Sequence, residues 1–186
     1  SGTYQVIIPN VAGCDSVITI KLTVTQLAVI GDFRDGGIVF WEDGKGGGLV
    51  CAITDQSSAI QWYNGVNVWT GANGSGIGSG LTNTLEIIKD QGATETDYAA
   101  GIANTYRGGG YSDWFLPSKL ELTEIYNNKD IVNSTAIAHS GDVLGNFYWS
   151  STEYNTDWAY FFVFPAGISQ NNSKASTSAV RAVRAF

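Results

Sequence analysis

The sequence predicts an α+β domain, and three observations carry that prediction. Short period-two runs of apolar residues recur along the chain, bounded by Gly, Asn and Asp. Two stretches place apolar residues four apart behind capping or stop chemistry. The composition (23 Gly, 6 Trp, 9 Tyr and 8 Phe, with only 15% charged residues) is that of a loop-rich chain with an aromatic core. The 186 residues leave room for one domain of ordinary size and a small appendage.

The appendage is residues 1–26. Tyr4, Val6 and Ile8 alternate with other residues, and Ile18, Ile20, Leu22 and Val24 alternate with Thr19, Lys21 and Thr23. The Pro9–Asp15 stretch between them is turn chemistry, so the reading is a β-hairpin. A lone hairpin is marginal in water and needs the main domain or a neighbouring module to pack on.

A second hairpin is expected from Gly37–Glu42 and Leu49–Thr54 around the glycine-rich Asp43–Gly48. That loop lacks the phosphate-cradle spacing and reads as a turn. Gly71–Gly80 reads as a flexible loop. The first helix is expected from Thr94 or Thr96 through Tyr98, Ile102 and Tyr106 to a stop at Gly108–Gly110. The second begins after Pro117, with Ser118 and Glu121 as a capping box and Leu122, Ile125 and Tyr126 as its apolar stripe, ending near Lys129. Half of the positions from Phe147 to Phe164 are aromatic. A strand at Trp158–Phe164 places Tyr160, Phe162 and Phe164 on one face and Phe161 and Val163 on the other. A polar Ser169–Ser178 stretch and a closing strand at Ala179–Phe186 follow.

The same composition limits function. A net charge of −7 and a pI near 4.5 give no footprint for nucleic acid or an anionic membrane surface. No run reaches the roughly 18 apolar residues of a membrane span. One His and two Cys leave no His-based metal site and no zinc site. His139 reads as an exposed loop residue and Cys51 as a buried thiol, with a Cys14–Cys51 disulfide as the alternative. Asp32 and Asp35 flank Arg34 in a turn that does not match a calcium loop. Glu121 is explained by capping and Glu124 by a solvated helix face. No constellation points to catalysis, so the reading is a protein that is not an enzyme and needs no cofactor.

Several motifs, in order, resemble one family. Gly108-Gly-Gly-Tyr-Ser-Asp-Trp-Phe-Leu-Pro-Ser-Lys-Leu-Glu-Leu122 is similar to the GGYSDWYLPSxxEL signature of the Lcl C-terminal domain family. Tyr148-Trp-Ser-Ser-Thr-Glu153 matches its YWSSTE motif, Val180-Arg-Ala-Val-Arg184 its VRxVR ending, and Gly36–Phe40 its opening strand. The resemblance covers residues 30–186. It implies a C-type-lectin-like fold, two helices beside a twisted antiparallel sheet, in the C-terminal module of bacterial collagen-like adhesins. Many relatives carry a Cys near the position of Ala103; its absence here favours a free Cys51. Residues 1–26 resemble the last strands of Ig-like repeats in bacterial surface proteins. Together these imply the C-terminal piece of a longer, secreted or surface-displayed chain.

Family members are binding modules, some of them for glycans. The implied role is recognition of a protein or glycan receptor on another cell surface, with no nucleic-acid partner and no membrane insertion. The expected ligand-binding residues are Tyr154, Asn155, Thr156, Asp157, Trp158, Phe161, Val163, Ala166, Ile168, Asn171, Asn172 and Ser176. C-type-lectin-like proteins ending in such a segment serve as variable proteins of diversity-generating retroelements, in which Asn codons become mostly Asn, Asp, Tyr, Ser, Thr, Ala, Ile or Phe. Those of the expected residues other than Trp158 and Val163, together with Ala175 and Thr177, all belong to that set. A lectin site with Ca²⁺ and a ligand-free structural cap are the alternatives; the Glu-Pro-Asn and Trp-Asn-Asp motifs of calcium-dependent lectins are missing. Trp149, Glu153, Lys174, Arg181 and Arg184 read as scaffold, the arginines pairing with acids such as Glu153 or Asp113.

Overall fold

The computed structural model describes residues 2–8, 16–22, 27–92 and 97–186. Cys14, the Pro9–Asp15 turn and the Thr94 or Thr96 cap therefore lie outside the described residues. Strands β1 (Gly2–Ile8) and β2 (Ser16–Leu22) form the expected hairpin, from Gly2 opposite Leu22 to Ile8 opposite Ser16, and among the described residues they pair with no other strand.

The rest is α+β. One sheet holds β3 (Phe33–Arg34), β4 (Gly37–Glu42), β5 (Gly48–Cys51) and β11 (Val183–Ala185), in the order β11-β5-β4-β3 and all antiparallel. The other holds β6 (Ser57–Gln61), β7 (Phe147–Glu153), β8 (Trp158–Val163), β9 (Ile168–Ser173) and β10 (Thr177–Val180), in the order β6-β10-β7-β8-β9. Its pairs are antiparallel except β10 with β7, which meet in parallel only at Ala179 opposite Tyr148.

Two apolar clusters make the core, and strands contribute to both through period-two alternation. Val39 of β4 and Trp149 of β7 enter one, beside Trp62, Tyr98, Trp114 and Val180. Ile38, Phe40 and Tyr148 enter the other, beside Leu122, Ile125 and Phe162. Phe162 and Phe164 are buried as expected of core aromatics, while Tyr160 is half-buried.

Helices α1 (Ser79–Gln91), α2 (Ala99–Thr105), α3 (Lys119–Asn127) and α4 (Lys129–Ala138) complete the fold. The two expected helices are α2 and α3. The α3 cap is the predicted box: Ser118 Oγ accepts from the Glu121 amide at 3.3 Å, and Glu121 accepts from the Ser118 amide at 2.7 Å. The structure adds α1 and α4. The expected closing strand is also two strands, broken at Arg181–Ala182 where the chain passes from one sheet to the other. The polar stretch after Gly167 is itself a strand, β9.

Candidate functional site

Residues 154–177 form a loop, two strands and two turns. Asn155 Oδ1 accepts from the amides of Asp157 and Trp158, at 2.9 Å each, and the amides of Tyr154 and Asn155 both donate to the Trp158 carbonyl. The β7–β8 loop is therefore a closed hydrogen-bonded turn. The β8–β9 turn needs glycine at 167, where φ is +68° and a Cβ would stand 2.6 Å from the Tyr126 ring.

Beneath the loop lies a buried ion pair. Lys174 Nζ donates to Glu153 Oε1 at 2.5 Å, to the Thr156 carbonyl at 2.7 Å and to the Val68 carbonyl at 3.0 Å, and sits over the Trp62 ring. Glu153 also accepts from the amides of Thr70 and Gly71. Both charged side chains are wholly buried, and neither is left with an open hydrogen-bonding need. Burial draws the Lys174 ammonium down from its usual range, and Glu153 opposes that shift. The Lys174 amide donates to the Asp157 carbonyl. One cation thus ties the β7–β8 loop to the β9–β10 turn from below.

The length of the strands divides the expected site residues. Tyr154–Trp158, Asn171, Asn172 and Ser176 gather at the pinned end of the sheet. Tyr154 meets Tyr160 edge-on at 5.5 Å, and Lys119 lies over the Tyr160 ring at 4.6 Å. Phe161, Val163, Ala166 and Ile168 lie toward the other end. There Phe147, Val163 and Ile168 stand in one cross-strand row, and Phe161 packs edge-on to Trp149 at 6.0 Å. The segment presents two surfaces rather than one, because the six-residue strands β8 and β9 hold its two ends apart.

None of the twelve expected residues is buried, whereas Ala159, Phe162, Phe164 and Lys174 between them are. Tyr154 is 49% exposed, Trp158 40% and Ile168 46%. Sequence reasoning passed over Phe147, which is 48% exposed. Its signal is its place at the head of the aromatic run.

The scaffold arginines pair as follows. Arg184 makes a two-pronged contact with Asp113, at 2.7 and 2.9 Å, and lies 3.7 Å from the Tyr111 ring centre. Arg181 pairs with Asp55 rather than Glu153, at 2.7 Å, and Tyr148 donates to the other Asp55 oxygen at 3.0 Å. Burial raises the Asp55 carboxyl and Arg181 opposes the rise. Cys51 is a free thiol, fully buried, and burial pushes it up to about 11. His139 is exposed and stacks on Phe33 at 4.0 Å, and Asp35 pairs with Arg34 at 2.7 Å. Among the described residues no three His, Cys, Asp or Glu side chains converge to hold a metal, and no helix is long and apolar enough to cross a membrane.

No curated protein matches the sequence. The model of the Lcl C-terminal domain matches residues 51–184, well over half of the chain, and takes in α1–α4, both core clusters' main aromatics and the whole Tyr154–Thr177 segment. The chain belongs to the Lcl C-terminal domain family.

Proposed function

We propose that this is a non-catalytic, C-type-lectin-like recognition domain of a secreted or cell-surface protein. It binds a protein or glycan receptor through the pinned end of the second sheet. One observation carries the reading: Tyr154 and Trp158 are exposed aromatics on a loop held by the buried Lys174–Glu153 pair and surrounded by Asn155, Thr156, Asn171 and Asn172. Rigid aromatic anchors ringed by adaptable polar side chains are what recognition surfaces use, because ordering them costs little entropy.

The test is binding of the wild-type chain and of the Tyr154→Ala/Trp158→Ala variant to glycan and cell-surface protein arrays. A loss of about tenfold or more, with unchanged thermal stability, is the expected result. Full retention by the double variant rules this surface out.

The solvent position of the Asn-codon-type residues also favours diversification of the segment. Genomic DNA carrying a near-copy of the 3′ end beside a reverse transcriptase establishes it, and DNA without that arrangement removes it.

A further inference from the structure

The β1–β2 hairpin has one apolar face, and the described residues of the chain leave it uncovered. Its register sets three rungs there: Tyr4 opposite Ile20, Val6 opposite Ile18 and Ile8 opposite Ser16. The other face carries Gln5 opposite Thr19, with Ile7 opposite Val17 as its apolar rung. Tyr4, Val6, Ile8, Ile18 and Ile20 are each 47–61% exposed. A two-stranded ribbon holds its shape in water only when such a face packs on something, and a contiguous exposed apolar face marks a contact surface.

We propose that a second copy of this chain covers the face, two hairpins stacking across a two-fold axis. The ladder is complementary to itself in shape. Its Ile8 end is one apolar side chain short, because Ser16 stands opposite, and its Tyr4 end carries the largest of the five. An axis through the Val6–Ile18 rung that reverses the strands lays Tyr4 of each copy over Ile8 of the other, bulk against gap. The area suffices as well. About half of each side chain is free, which leaves roughly 500 Å² of apolar surface per copy and roughly 1,000 Å² in the pair, where specific interfaces begin.

Charge permits the approach. Asp15 and Lys21 are the only charged side chains in residues 1–26 and cancel, so the whole net charge of −7 falls on residues 27–186. The hairpin is thus the neutral element of an acidic chain, and two copies meet there with least repulsion. Edge-to-edge pairing of the same strands leaves the ladder in water, whereas face-to-face stacking buries it. This contact is separate from the Tyr154–Trp158 surface and does not rest on the recognition reading.

The experiment is sedimentation velocity on the full chain from about 5 to about 500 µM. The expected result is a reversible monomer–dimer equilibrium with a Kd of about 10–100 µM. Val6→Thr/Ile18→Thr keeps β-branched side chains suited to a strand but puts hydroxyls into the contact, and should weaken the dimer about tenfold or more. Ile7→Thr/Val17→Thr makes the same exchange on the opposite face and should change the Kd by less than about twofold. In an equal mixture of isotope-labelled and unlabelled chain, isotope-filtered NMR should show nuclear Overhauser contacts from the Tyr4 ring of one copy to the Ile8 methyls of the other. That readout uses the wild-type chain, so it decides the matter even if Val6→Thr/Ile18→Thr loosens the hairpin. A chain that stays monomeric at about 500 µM overturns the proposal. So does a dimer that Val6→Thr/Ile18→Thr leaves intact, one that Ile7→Thr/Val17→Thr weakens as much, association that continues past the dimer, or Overhauser contacts that join the ladder to residues 27–186 of its own copy and make the main domain the occupant.

Discussion

Lys174 is the residue on which the segment depends. Its charge is wholly buried and matched by Glu153 and two carbonyls. Lys174→Met leaves Glu153 charged and unpaired, and such losses cost about 3–5 kcal/mol. Urea denaturation should show that loss; a cost below about 1 kcal/mol would mean the pair is replaceable. Asp113 gives a pH-dependent counterpart. Its hydrogen bond from Arg184 holds the carboxyl below the ordinary 3.8. A lowered folded pKa means stability that is complete above 3.8 and is lost as pH falls below it. Asp113→Asn should therefore destabilise at pH 7, by no more than about 1 kcal/mol because the carboxylate is half exposed. That deficit should shrink below pH 3.8, where the native pair is itself broken; a deficit constant from pH 7 to pH 3 would show that charge plays no part. Cys51, buried and with its thiol pushed up to about 11, should resist iodoacetamide at pH 8 until the chain is unfolded.

At the scale of elements, legibility followed the direction of the apolar residues. Helix α3 was readable because its capping box and its buried Leu122 and Ile125 agree. Ser118→Ala should cost about 1–2 kcal/mol in thermal unfolding, since the hydroxyl both caps the helix and donates to the Gly76 carbonyl at 2.8 Å. Helix α1 was hidden because its buried face is Gly80, Asn83, Thr84, Ile87 and Gln91, while Leu81 and Leu85 face solvent. Its start is no clearer: Gly78 at φ +86° precedes it with no side-chain cap. Gly80 is buried, and the position takes only glycine because a Cβ there would stand 2.3 Å from Glu121 Oε2. Helix α4 was hidden likewise, with Val132 and Ala136 inside and Ile131 and Ile137 outside. The candidate site was legible as a segment, because aromatic crowding and polar loop residues are local signals. Its division into two surfaces was not, since that depends on which residues pair across β7, β8 and β9.

At the scale of the molecule, the hairpin of β1 and β2 stands apart. Tyr4, Val6, Ile8, Ile18 and Ile20 share one of its faces and all are exposed. Deleting residues 1–26 should shift the Tm of the remaining domain by no more than about 2 °C; a fall of 5 °C or more (roughly 1.5–2.5 kcal/mol for a domain of this size) would show that the hairpin is part of the folding unit. The other end behaves in the opposite way. Strand β10 joins β6 to β7, β11 pairs with β5, and Arg181 and Arg184 between and within them are committed to Asp55 and Asp113. Asp55, 126 residues before Arg181, and Asp113, 71 residues before Arg184, thus wait for the last strands to arrive. During synthesis the ribosome must deliver residues 177–185 before either sheet can close, so this domain folds after translation of its final strands rather than progressively along the nascent chain.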